Sequence, residues 1–452
     1  MLMTMTAWAQ PYSSVRTFTL RDGLASNVIT SMGQTDDQLM WFSSWNGLSC
    51  YDGYTFTTFS DKMGYGRTLT TNRILKISTS AMGNIWCLTY DRQAFLFDRQ
   101  TCRFLNVSDI VNSLLGKQFN CQRIVALPNG YTWLLSRDKE TPCFRVNEHL
   151  TIDEKSVQMF NKTDGQLKGW DVYGVEMDEE KREWVLTDGG TMLIGEQVKS
   201  KIPYLYVKHV DKNTFFATSN GLLGVYDNTK KDIVPLHIIP QGTKQISALE
   251  KDENNRLIVL TDAGLLVYHV QKHSLKTIFL PKDISPQELY IDKQHRAWII
   301  ASSGDVLLVT LNDGNVMHLF TNGLLSSFHQ STRNLVHEDA YGTVWLGLEN
   351  GFFGYYNEQT RQLVPEQVRT NIAMPSIDRW FEDSFGNLWF SGEHDMTIVN
   401  FGQHVFNHMV LNGMQQTRSL CYDSQGRLWA GDITGHIAVT DNHQLVGYSE
   451  YQ

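Results

Sequence analysis

One stretch, DAYGTVWLGLENGFFGYY at Asp339–Tyr356, can be laid over the chain ten times, and no other feature constrains the fold so tightly. An Asp-x-x-Gly turn leads into an apolar run centred on Trp345, and a second turn at Glu349-Asn350-Gly351 leads into another. In such a turn Asp can bond the turn backbone and Gly can take a positive φ, so the unit reads strand, turn, strand. The centre of each copy falls at Trp41, Trp86, Trp133, Trp184, Phe215, Ile258, Trp298, Trp345, Trp389 and Trp429. A glycine follows six residues later at Gly47, Gly190, Gly221, Gly264, Gly304, Gly351 and Gly435. An aspartate precedes by six at Asp178, Asp252, Asp292, Asp339, Asp383 and Asp423. Successive centres are 45, 47, 51, 31, 43, 40, 47, 44 and 40 residues apart, and a period of this length made only of strands points to β-propeller blades.

Composition agrees. At 452 residues the chain exceeds one ordinary domain, and its patterning sustains no long helical period, so the class is all-β. The net charge of −9 with scattered basic residues argues against a nucleic-acid surface. No run of 18 apolar residues occurs, which excludes a transmembrane helix within this chain. Residues 1–10, MLMTMTAWAQ, end in the small-x-small pattern Ala7-Trp8-Ala9 and read as a signal-peptide remnant, with a floppy N-terminus as the alternative. Six cysteines show neither metal nor disulfide-scaffold spacing, and one bridge in the Cys102 to Cys143 region stays open. His404 and His408 would lie about 13 Å apart along a strand, too far for one ion. No metal and no cofactor is expected.

A propeller blade has four strands counted outward from the axis. In the first copy VITSMG is the innermost, followed by LMWFSS, GLSCYD and YTFTTF, which leaves Arg16–Leu20 over. A leftover strand can close a ring by supplying an outer edge to the last blade. The phrase returns once, at Val316–Ser327, where VMHLFTNGLLSS echoes VRTFTLRDGLAS. Seven centres lie between the two phrases, so the expectation is a seven-bladed ring over 11–315, closed by Arg16–Leu20, and the first three blades of a second propeller over 316–452. Three blades cannot close, and the last copy reads only to its third strand, so the chain is expected to be a fragment.

The wording of these repeats, Asp-x-x-Gly-x-x-Trp followed by Gly-Leu-x-x-Tyr-Asp and introduced by DGLASN, resembles the two-component regulator propeller repeats in the periplasmic sensors of Bacteroides-type hybrid two-component systems. The resemblance is strongest in GNLWFSG, GTVWLGLENG and MWFSSWNGLSCYDG, and weakest at Phe215 and Ile258, where the tryptophan is lost. It implies an extracytoplasmic, periplasmic region that senses breakdown products of complex glycans and switches on genes for their use. Two seven-bladed propellers, a β-sandwich, a membrane helix, a histidine kinase, a receiver and a DNA-binding module belong to the implied whole, which is expected to be a homodimer.

No catalytic signature stands in the chain: His-Glu-x-x-His, Gly-x-Ser-x-Gly and Gly-x-x-x-x-Gly-Lys are all missing. A sialidase-type Asp box would place its aromatic residue five positions after Asp, whereas here the spacing is six. The recurring Trp and Asp are therefore read as architecture, with Trp41, Trp86, Trp133, Trp184, Trp298, Trp345, Trp389 and Trp429 as core anchors. Trp380, in an inner strand, is also expected in the core. Function is expected where the repeats deviate, on the face shared by the loops between second and third strands and the loops between blades. Trp45 and Asn46, Tyr90, Asp91 and Arg92, and Trp170 and Asp171 deviate there. Rings beside polar groups suit a sugar, whose C–H face stacks while its hydroxyls are hydrogen-bonded. Loop packing or protein contacts would use the same residues. The expected role is a non-enzymatic oligosaccharide sensor; a secreted propeller lyase or glycosidase and a protein-interaction scaffold are the alternatives.

Overall fold

The structure is a computed structural model that describes residues 14–60, 69–137, 139–164, 167–196, 200–319, 335–339, 342–347, 353–365, 379–391, 395–400, 416–425, 427–441 and 444–450. Ten antiparallel sheets follow one another in chain order, each containing one of the ten repeat centres. The first is built from β2 (Ile29–Gln34), β3 (Met40–Ser44), β4 (Gly47–Tyr51) and β5 (Phe56–Phe59), close to the four strands expected of it. Eight more sheets follow within a compact unit that ends at Phe401. The tenth, Thr417–Tyr422, Leu428–Asp432, His436–Asp441 and Gln444–Glu450, belongs to a second unit beginning at Gly402. That blade has a fourth strand, where only three were expected.

Within the first unit neighbouring sheets pack face to face, and the first sheet meets the ninth. Closure differs from the expectation. β1 (Ser14–Phe18) pairs antiparallel with Met396–Asn400, from Ser14 opposite Asn400 to Phe18 opposite Met396, so it completes the Trp389 sheet. The outer place on the Trp298 sheet belongs to Val316–Leu319, which pairs with Val306–Val309 across the expected 315/316 boundary. The unit thus returns on itself after nine sheets, and the seven-plus-three grouping is not the one the contacts make. The reason is aromatic. Phe18 stacks on Trp389 at 5.9 Å between centroids and meets Tyr51 and Phe56 edge-on at 5.2 Å, a slot built jointly by the first and ninth sheets. A five-residue edge strand carries no mark of its partner, and the packing of Phe18, its one buried side chain among the described residues, decides.

Two other features depart from the reading of the chain. The 31-residue step between Trp184 and Phe215 is a sheet of three strands, Val172–Met177, Glu183–Thr187 and Thr191–Leu193, with Tyr204 buried nearby. The 47-residue step before Trp133 contains a helix, α1 (Val107–Leu115), capped by the Asn106 side chain and ended by Gly116 at φ 69°. Its Val107 and Val111 are buried against Trp86 and Phe144, so the helix fills a gap between blades.

Seven of the eight repeat tryptophans are buried. Trp86, Trp133, Trp184, Trp298 and Trp345 have no accessible surface, while Trp429 in the second unit is half-buried. The repeat aspartate does more than hold a turn. Its Oδ2 accepts the indole N–H of the tryptophan six residues on: Asp178 from Trp184 at 2.8 Å, Asp292 from Trp298 at 2.8 Å, Asp339 from Trp345 at 3.1 Å, Asp383 from Trp389 at 2.9 Å and Asp423 from Trp429 at 2.9 Å. A buried indole needs an acceptor, and a spacing of six supplies one. Where the aspartate is absent, the acceptor is Thr35 at the same spacing for Trp41, at 3.2 Å, and a glutamate of the following blade for the other two: Glu148 for Trp86 at 2.8 Å and Glu183 for Trp133 at 2.9 Å. Trp380 is the exception to the core assignment. It is 36% exposed on the innermost strand Arg379–Glu382, whose other aromatic, Phe381, packs towards the first sheet.

All six cysteines are free, so the bridge left open near Cys102 to Cys143 is not formed. Burial pushes the Cys121 thiol up to about 12 and raises those of Cys87 and Cys143 as well, which leaves them protonated and inert. Among the described residues no helix is long and apolar enough to cross a membrane. Residues 1–10, His404 and His408 lie outside the described residues.

Candidate functional site

The loop face is organised by one repeated turn. Three residues after each of the first six centres, a hydroxyl caps the turn between second and third strands: Ser44, Thr89, Ser136, Thr187, Thr218 and Thr261. Each either takes backbone N–H groups of the turn or donates to a carbonyl beyond it, which stiffens the loop. One residue further on, at the tip, a backbone N–H donates to the carbonyl that precedes the innermost strand of a blade. Tyr90 N–H reaches Arg73 at 2.8 Å, Asp188 reaches Asp171 at 3.1 Å, Asp262 reaches Gln245 at 3.1 Å and Ser302 reaches Ser285 at 3.0 Å. These bonds bind the two kinds of loop into one face, as expected. The capping hydroxyl was legible as a Ser or Thr three residues after the centre, a position the reading of the chain passed over.

The tight turn also explains the repeat glycine. A Cβ on Gly47, at φ 115°, would stand 2.5 Å from the Phe59 carbonyl oxygen, and one on Gly264 would stand 2.5 Å from that of Ile278. The fourth strand passes too close for any side chain there.

Tip positions on consecutive blades carry Trp45 and Tyr90, and both rings are left in solvent, 53% and 59% exposed. The structure brings them together around a residue that sequence reasoning missed. Arg73, in the loop between the first and second blades, sets its guanidinium 5.5 Å from the Trp45 ring centroid and 5.9 Å from that of Tyr90. Its backbone is fixed by the Tyr90 bond, and the neighbouring Asn72 carbonyl accepts Gly47 N–H at 2.9 Å. Each such cation–ring contact is worth about 0.5–1 kcal/mol at an exposed site. Arg73 carries no repeat signature, since it stands outside the aligned strands, and only its place between two tips reveals it.

The other expected residues divide. Asp91 is exposed and held on both oxygens, by the Thr89 hydroxyl at 2.5 Å and the Thr70 hydroxyl at 2.6 Å. Arg92 stands at φ 62° in the turn, and its carbonyl accepts Cys121 N–H at 2.9 Å from the entry to the third blade. Asn46 is exposed, with its side-chain amide spent on the Ala25 carbonyl at 3.0 Å. Trp170 and Asp171 are not brought to these rings. Trp170 is half-buried against the Trp133 core and lies over Gly189 and Gly190, where a Cβ would overlap it. Asp171 accepts from Lys162, a lysine buried to 1% exposure that also donates to the Ser136 hydroxyl at 2.8 Å, and its N–H donates to Asp188 at 2.8 Å. Burial pushes the Asp188 carboxyl up, but the Lys139 ammonium and the Asp171 N–H outweigh it and hold the group below the usual range. This second cluster solvates a buried cation.

Chemically, two exposed rings and a guanidinium on rigid turns can stack a flat or C–H face and bond an oxygen beside it. Among the described residues no group of three His, Cys, Asp or Glu side chains could hold a metal ion.

No family model matches the chain, and no curated protein does. Solved structures to which it is similar include the extracellular domain of the hybrid two component system BT3049 from B. thetaiotaomicron, with 17% identity over 97% of this chain and 67% of that one and a TM-score of 0.36. The extracellular domain of the hybrid two component system BT4673 from the same organism gives 15% identity over 97% and 73% and a TM-score of 0.33. Virginiamycin B lyase from Staphylococcus aureus gives 10% identity over 86% and 99% and a TM-score of 0.36. At such identities and scores these are likenesses only, and they assign neither ligand nor chemistry to this chain.

Proposed function

We propose that this chain is the extracytoplasmic, periplasmic ligand-sensing region of a hybrid two-component sensor histidine kinase and response regulator. It recognises a glycan-derived oligosaccharide, and the larger protein, a homodimer, controls polysaccharide-utilisation genes. The observation that carries the reading is the pair of exposed rings, Trp45 and Tyr90, presented on hydrogen-bonded turns of adjacent blades around Arg73. Large exposed rings on rigid loops are costly to leave in water without a ligand and suit the C–H face of a sugar. The repeat wording supports the sensor context, and the stiff blade frame suits a module that reports binding without doing chemistry.

Thermal melting against a panel of oligosaccharides from plant, algal and host polysaccharides tests the reading. At a ligand concentration one hundred times Kd, binding adds about 2.7 kcal/mol to stability, a readily measured rise in Tm. At least one oligosaccharide should raise Tm, and Trp45→Ala should abolish the rise without lowering the unliganded Tm. A panel that leaves Tm unmoved, or oligosaccharides recovered cleaved after incubation, would contradict it; cleavage would favour a propeller lyase or glycosidase.

A further inference from the structure

Oligosaccharide recognition by exposed rings leaves the charge of the ligand open, and Arg73 addresses it. Most structurally engaged arginines of this chain have carboxylate partners: Arg145 with Glu183, Arg182 with Asp178, Arg256 with Asp252 and Arg296 with Asp292. In a chain of net charge −9 such pairing is the ordinary fate of a guanidinium. On the loop face of the first three blades it fails. Arg73, Arg92 and Arg137 form no ion pair with any described carboxylate, although Asp91 stands in the same turn as Arg92. Asp91 is instead saturated by the two hydroxyls of Thr70 and Thr89. Arg73 and Arg137 are exposed, and Arg92 is half-buried. The turns tie these positions to neighbouring blades, since the Arg92 carbonyl holds the loop that enters the strand paired just before Arg137.

We infer that the loop face of the first three blades takes an acidic saccharide, with the sugar ring on Trp45 or Tyr90 and its carboxylate or sulfate on Arg73. The inference rests on the carbohydrate-sensing reading and narrows it to a substrate class. A guanidinium flanked by two rings is held at the right height for this. Its charge lies over both ring faces, no described side chain takes its donors, and that charge is delocalised and weakly hydrated, so desolvating it against an oxyanion costs less than for an ammonium. A neutral sugar would leave that charge without a counter-ion under the ring it covers. An acidic one satisfies it and adds the bidentate bond that carboxylates and sulfates share. Arg92 and Arg137 add two further cations to the same face, beside the carboxylates of Asp91 and Glu140.

The test is calorimetric titration of the whole chain with three tetrasaccharides: tetragalacturonate, which carries carboxylates only, a carrageenan tetrasaccharide, which carries sulfates only, and neutral cellotetraose. At least one acidic probe should bind ten-fold or more tightly than cellotetraose, and whichever it is names the oxyanion. Arg73→Gln should weaken the acidic probe at least ten-fold with an unchanged Tm, Arg73→Lys should recover part of the loss, and raising salt from 50 to 500 mM should weaken it further. Cellotetraose binding as tightly as the acidic probes, with Trp45→Ala abolishing it and Arg73→Gln leaving it untouched, would overturn the acidic class and keep the sugar platform. No binding by any of the three at millimolar concentration would overturn both.

Discussion

Two tryptophans four residues apart divide architecture from recognition at the scale of single residues. Trp41 is 3% exposed, packs on Phe59 and Phe97, and donates its indole N–H to Thr35 at 3.2 Å, whereas Trp45 stands in solvent. Trp41→Ala should therefore cost about 3–5 kcal/mol of stability, measured by chemical denaturation, while Trp45→Ala should stay within about 0.5 kcal/mol of the parent. Glu183 is a second residue-scale case. Burial raises its carboxyl, but Arg145, the Trp133 indole and Asn129 outweigh burial and hold it below the usual glutamate range. A folded pKa below the unfolded one means that the stabilisation is fully present above the unfolded value, near pH 4.3, and is lost as pH falls through the lower folded value. The Tm gap between parent and Glu183→Gln should be wide at pH 7 and narrow below about pH 4. A gap that widened on acidification would contradict the assignment. The aspartate partner of five indoles was legible as a fixed spacing of six, but Glu148 and Glu183 were not. They reach across from the next blade, and no interval within one repeat encodes a contact between repeats.

Elements were legible to the extent that each blade builds itself from local pairing. Hairpins with a strand period of two and turns marked by Asp, Gly and a capping hydroxyl declare themselves in order along the chain. The helix α1 did not. Its Asn106 cap and Gly116 stop are brief, and its two buried valines read equally well as a strand. Strand position also explains Trp380: side chains alternate across a strand, and its neighbour Phe381 takes the inward place. The repeat glycine offers an element-scale prediction. Gly264→Ala should destabilise by about 1–3 kcal/mol, because the new Cβ would strike the Ile278 carbonyl and push the fourth strand away. Gly53→Ala, with a positive φ but open space around it, should cost about 1 kcal/mol. Urea midpoints of the two variants check this, and equal losses would show that backbone conformation rather than the close strand requires the glycine.

For the first unit as a whole, closure is the property least legible in the chain. β1 and Val316–Leu319 are both short strands before a Gly-Leu phrase, but Val316–Leu319 pairs with the hairpin strand just before it, whereas the partner of β1 is set by aromatic packing far away in sequence. Val15 and Val399 are paired across the seam, and opposed residues of antiparallel strands have Cα atoms about 4.5–5.5 Å apart, within disulfide reach. Val15→Cys with Val399→Cys should therefore crosslink on mild oxidation, seen on a non-reducing gel, and the crosslink should raise Tm. Failure to form it, with Val15→Cys crosslinking instead to a cysteine placed at Leu308, would return the seam to the Trp298 blade. A closed frame matters because the turns carrying Trp45 and Tyr90 sit on the first two sheets, the first of which packs against the seam. The most direct measurement of what that frame is for is calorimetric titration of the parent, Trp45→Ala, Tyr90→Ala and Trp170→Ala chains with one oligosaccharide that raises the parent's Tm. Loss of ten-fold or more in affinity for the first two variants, with Trp170→Ala binding as the parent does, is the predicted result. Parent-like affinity in Trp45→Ala and Tyr90→Ala would contradict it and remove the recognition site from this face.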